Sequence, residues 1–156
     1  MGFVSLSHVL AHVVHNRRHP VVLEPRPERY KFGTRNYGEV RGWRNHADGD
    51  CWDVFAPGYD DVLPVHVPYV ATDVLGVLLL ENGNHKIAVR IPVPGYDADR
   101  AETETRRFVR EYTKRMRIRG RWVSSSTASS GPDAAGTCGR CARGSCTRCT
   151  QTSRRA

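Results

Sequence analysis

Two short stretches decide how this chain reads: Asn36-Tyr37-Gly38 and, nine residues on, Asp48-Gly49-Asp50-Cys51-Trp52-Asp53-Val54. Three carboxylates fall within six residues, after a glycine-marked turn and before an apolar run. Side chains two apart in an extended segment share a face. Asp48 and Asp50 are therefore expected to point together, with a bend at Cys51-Trp52 bringing Asp53 round to meet them. Carboxylates held that close repel one another unless a cation sits among them, and hard oxygen ligands suit magnesium, manganese or calcium. The competing reading of the same residues is a solvated acidic turn.

Working outward, Val21-Val22-Leu23-Glu24 reads as a strand that enters a turn at Pro25 and Pro27. Tyr37, Val40 and Trp43 belong to a second strand, and Arg44-Asn45-His46-Ala47 form the loop before the acidic motif. Val54-Phe55-Ala56-Pro57 finishes the strand after it. Val62–Tyr69 alternates loosely, as a half-buried strand does. The apolar run Val74–Leu80, the turn Glu81-Asn82-Gly83-Asn84 and the return His85–Ile91 read as a hairpin. Asp99 with Glu102 has the spacing of a helix start. Ala101, Thr105, Phe108, Val109, Tyr112 and Met116 then form an apolar stripe at helical spacing. Gly120-Arg121-Trp122-Val123 is a last strand.

Asn-Tyr-Gly, the nine-residue spacer and Asp-Gly-Asp-x-x-Asp-Val together resemble the signature of the soluble inorganic pyrophosphatases of the β-barrel type. The resemblance extends over about Val21–Val123. It implies a mainly β, α+β fold: a closed five-stranded OB-like barrel with flanking helices. It implies magnesium-dependent hydrolysis of pyrophosphate to two phosphates, with manganese as an alternative metal. Carried over residue by residue, Asp48, Asp50 and Asp53 would be metal ligands, Asp50 doubling as the base that activates water. Tyr37 would tune the nucleophile. Glu24 would frame the site, and Arg29, Lys86, Tyr112 and Lys114 would hold phosphate. The chain departs from the family at Cys51, where proline is usual, and in the turn after Leu80. Two further metal-binding aspartates of the family fall there at or near Glu81 and on Asn84, which brings no charge. The hairpin between Glu24 and Asn36, which in the family bears a phosphate-binding arginine, is also trimmed, leaving Arg26 or Arg35 to substitute. These departures support the second reading, a non-catalytic descendant serving as a binding or assembly module.

Composition sets the outer bounds. The chain has 156 residues, 39% of them apolar, and a formal net charge of +8. Such a balance favours anionic partners: phosphates, nucleic acid or acidic surfaces. Eight arginines and lysines lie between Arg106 and Arg121 against the single Glu111. Beside a cleft they would attract phosphate; on an open helix face they confer solubility. No apolar run approaches the ~20 residues that span a bilayer, and no stretch reads as a cleavable signal. The expectation is a soluble cytoplasmic protein with no membrane association, and relatives of this type imply a homo-oligomer.

Three segments are expected. Residues 1–20 form an amphipathic segment whose Val4, Leu6, Val9, Leu10, Val13 and Val14 suit a short helix. Its His8, His12 and His15 lie near one face, which reads as a solvated or packed surface. Residues 21–123 form the barrel domain. Residues 124–156 form a flexible, basic, cysteine-rich tail. There Cys138, Cys141, Cys146 and Cys149 form two Cys-x-x-Cys pairs, the bite of a four-thiolate zinc site. A zinc knuckle contacting nucleic acid and a disordered basic tail are the two readings of that end.

Overall fold

In the computed structural model, residues 2–27 and 32–125 are described. They form eight strands and two helices: β1 (Gly2–Phe3), α1 (Leu6–His12), β2 (Val21–Leu23), β3 (Tyr37–Arg44), β4 (Cys51–Phe55), β5 (Pro68–Tyr69), β6 (Asp73–Leu80), β7 (Lys86–Arg90), α2 (Ala98–Met116) and β8 (Gly120–Ser124). The expectation of an α+β, mainly β chain is met.

The strands join in one sheet in the order β5-β2-β3-β4-β7-β6-β8, with β1 added beside β3. Among the described residues no pairing connects the two ends of that path, so the sheet is open there and the expected closed five-stranded barrel is not confirmed. The pairs β2–β3, β3–β4 and β6–β7 are antiparallel, while β4 and β7 run parallel. That parallel pair brings Asp53 opposite Lys86, and the β3–β4 register brings Glu39 opposite Asp53.

Alternation along the strands sorts apolar residues onto two faces. Val21, Leu23, Val40, Val54, Ile87 and Val77 build one cluster, and Val9 and Val13 of the α1 region close it. Val9 and Val13 of the N-terminal segment thus belong to the core. Ser5 starts α1, its Oγ accepting from the His8 amide at 3.1 Å. Tyr37, Phe55, Leu78, Leu80 and Ala88 build the second cluster, covered by Phe108 and Tyr112 of α2. Phe55 stacks on Phe108 with centroids 4.1 Å apart. Burying each such ring contributes about 1.5–3 kcal/mol.

Helix α2 begins one pair of residues earlier than expected. Asp97, not Asp99, is the cap, its carboxylate accepting from the Arg100 amide at 3.0 Å. Ala101, Thr105, Phe108 and Tyr112 are its buried face, whereas Met116 at the end of the stripe is 53% exposed. The segment 62–69 forms a strand only at Pro68–Tyr69. Pro64 and Pro68 remove two amide donors, and His66 has a positive φ of 61°.

Gly38 has a structural reason. A Cβ there would sit 2.0 Å from the Val22 carbonyl oxygen, so only glycine lets β2 lie against β3 at this point.

Candidate phosphoanhydride site

The β3–β4 connection carries the acidic motif. Asn45 organises it: its amide donates to the Asp50 carbonyl and its carbonyl accepts from Gly49, both at 2.8 Å. Its side chain accepts from the Ala47 amide and donates to the Gly83 carbonyl at 3.1 Å. The acidic loop is thereby tied to the β6–β7 turn. Gly49 adopts the positive φ, 78°, that the tight loop requires. Arg44 Nε clamps the Gly49 carbonyl at 2.7 Å.

Within that loop the three aspartates diverge. Asp48 is exposed, and one of its oxygens accepts from the Asp50 amide at 3.0 Å. The Asp50 carboxylate is exposed. Residues 51–55 run on as regular strand without the expected bend, so Asp53 faces the α2 side of the sheet. There its Oδ2 meets Lys86 Nζ at 2.5 Å, with the two side chains 16% and 3% exposed.

The surroundings of that ion pair are aromatic and cationic. Lys86 Nζ lies 5.4 Å from the centre of the Tyr112 ring. The Arg26 guanidinium lies over Tyr37 at 4.2 Å and is 4.0 Å from Glu24. Burial pushes the Tyr37 phenol well above its ordinary pKa, Asp53 pushes it further, and Arg26 opposes them. Burial raises Tyr112 as well, and Asp53 and Asp48 add to it. The field of Asp48 thus reaches both phenols. Both tyrosines thus stay neutral near pH 7, each keeping a hydroxyl proton.

Residues expected from sequence are brought together unevenly. Tyr37, Asp53, Lys86 and Tyr112 converge. Glu24 joins them through Arg26, whereas Asp48 and Asp50 stay exposed on their loop. Glu81 lies in a turn tied to the acidic loop, but its carboxylate accepts from the Arg119 amide at 2.8 Å and faces the Arg119 guanidinium at 3.4 Å. Those bonds hold its pKa below the ordinary carboxylate value. In that same turn the Asn84 backbone amide donates to Asn82 Oδ1 at 3.0 Å. Lys114 is exposed in the last turn of α2. Arg29 and the four tail cysteines lie outside the described residues.

Of the two arginines that sequence offered in place of the family's phosphate-binding one, Arg26 lies over the Tyr37 ring, whereas Arg35 donates to the Asp60 carbonyl. One residue of this face was missed from sequence. Glu39 lies opposite Asp53 in the register and bonds Arg41 Nε at 3.2 Å. Burial and then Glu24 raise its pKa. Period-two alternation from Tyr37 was the available signal, since it puts residue 39 on the same face.

Among the described residues, no group of three or more His, Cys, Asp or Glu side chains could hold a metal ion. Asp53 already has its counter-ion and Glu81 is drawn to Arg119, so the described residues offer no dication cage of their own. Magnesium, however, is commonly held by one or two carboxylates together with substrate phosphates and water. The exposed Asp48 and Asp50 are carboxylates of the kind that such a lesser role takes. Comparison of the chain with family models, curated proteins and solved structures gives no match. No helix among the described residues is long and apolar enough to cross a membrane.

Proposed function

We propose that this chain is an inorganic-pyrophosphatase-like protein that binds the magnesium complex of pyrophosphate and hydrolyses it to two phosphates. One observation carries the reading: a buried lysine–aspartate pair from parallel strands lies under a tyrosine of α2, beside a second tyrosine capped by an arginine. Cations and neutral phenols on one side, with open carboxylates on the other, suit a polyanion that carries a divalent ion.

Hydrolysis of this bond needs positioning and charge stabilisation more than covalent chemistry. Arg26 and Lys86 supply positive charge to the phosphate oxygens. An ammonium group has three donors, and Asp53 uses one. Tyr37 and Tyr112 donate from phenols that stay protonated. Asp50, exposed and outside the ion pair, is the carboxylate that accepts the proton from the attacking water. A magnesium ion bound with the substrate, held by Asp48 and Asp50, would acidify that water.

A second reading, binding without turnover, is favoured by the uncharged Asn84, the capture of Glu81 by Arg119 and the missing three-carboxylate group. Calorimetry with magnesium pyrophosphate and an assay of released phosphate separate the two. The expected result is saturable binding with slow release, and in Asp50→Asn release falls at least tenfold while binding persists. Binding without release in the wild type selects the second reading. Absence of both at millimolar pyrophosphate from folded protein removes the pyrophosphatase reading altogether.

A further inference from the structure

Beside Tyr37 the site opens into a cleft of about 450 Å³. That volume falls in the range of about 300–1,000 Å³ typical of sites for organic ligands, and a bare pyrophosphate would leave most of it empty. One wall is apolar: Leu23, Val62, Leu63, Pro64 and Val65. Val62 is 59% exposed there, a cost that contact with an apolar ligand face would remove. The wall is braced. Asn36 accepts from the Leu63 amide at 2.8 Å and donates to the Asp61 carbonyl at 3.2 Å. The His66 amide donates to Leu23 and the Tyr69 hydroxyl to Pro64.

The opposite wall is polar and continuous with the phosphate site. Arg26 and Tyr37 line both. The Arg26 side chain is 32% exposed, so its guanidinium can reach an acceptor on a ligand. A guanidinium lying on a phenol ring, facing an apolar wall, makes a slot suited to a flat heterocycle bearing ring acceptors.

We infer that the ligand of this protein is a nucleoside diphosphate rather than free pyrophosphate, its anhydride at Lys86 and Arg26 and its base against Val62 in the cleft. The inference rests on the phosphoanhydride reading and narrows it. The test compares ADP with inorganic pyrophosphate, each with magnesium, by calorimetry on the full chain. ADP is expected to bind at least tenfold tighter. Val62→Asn removes an exposed apolar contact without altering charge, so it should fold as the wild type does. It should cut the preference for ADP about threefold or more, the scale of losing apolar contact from one small side chain, and leave pyrophosphate binding within about twofold. Pyrophosphate binding equal to or tighter than that of ADP overturns the cleft assignment and leaves the phosphoanhydride site standing. So does an ADP preference indifferent to Val62. Failure of both ligands to bind overturns both.

Discussion

Lys86→Met tests the centre of the site most directly. The Asp53–Lys86 contact is 2.5 Å, and the lysine side chain is only 3% exposed. At an effective dielectric near 20 the gross Coulomb attraction at that distance is about 6–7 kcal/mol, most of it offset by taking both charges out of water. Removing one partner has a different sign of consequence: it strands the other charge. Buried pairs broken in this way cost about 3–5 kcal/mol. Lys86→Met should therefore lower unfolding stability by about that amount at neutral pH, read from urea melts with the slope unchanged. Asp53→Leu alone should also destabilise. The double variant, which exchanges the pair for apolar groups of similar volume, should return to within about 1–2 kcal/mol of the wild type. A loss below about 1 kcal/mol for Lys86→Met, or a double variant that loses the sum of the singles, refutes the reasoning that the ammonium is committed to Asp53.

Two further outcomes follow from single groups. His85 Nδ1 accepts from the Leu80 amide at 2.9 Å, and burial, then Lys86, lowers its pKa. A histidine depressed in the fold contributes stability that is present above its unfolded value near 6.5 and is lost as pH falls through the lower folded value. Melting temperature should drop more steeply below about pH 6.5 in the wild type than in His85→Asn, and parallel profiles would contradict this. The buried Tyr59 hydroxyl donates to the Ile91 carbonyl at 2.8 Å and accepts from the Ile91 amide at 3.0 Å. Tyr59→Phe should cost about 1–3 kcal/mol by leaving both groups unmade, and a loss under a few tenths in thermal or urea melts would show that water replaces the hydroxyl.

The elements that sequence made legible are those in which local pattern and burial agree. The β6–β7 hairpin was readable because an apolar run meets a turn of Asn and Gly. Helix α2 was readable because its stripe is buried at 101, 105, 108 and 112. The start of α2 was displaced because Asp97 and Asp99 are both competent caps two residues apart. The segment 62–69 misled because its valines alternate, while Pro64 and the positive φ of His66 confine the strand to Pro68–Tyr69. At the site, Tyr37, Lys86 and Tyr112 were found through a resemblance, whereas their geometry depends on the parallel pairing of β4 with β7. Nothing local encodes that pairing. It turned Asp53 away from its two neighbours and gave it an ammonium partner. Arg26 and Arg35 were equal candidates until the fold laid Arg26 over Tyr37, and Glu39 went unnoticed because it looks like an ordinary surface charge until the β3–β4 register puts it opposite Asp53.

Helix α2 contributes Phe108 to a core and Tyr112 to the site from adjacent turns. Its undocking would therefore strip the binding face of a phenol while the opposite cluster, built on other residues, kept its own contacts. Occupancy and local opening of the helix are then two ends of one balance, since any molecule gripping Tyr112 holds the whole amphipathic rod against the sheet.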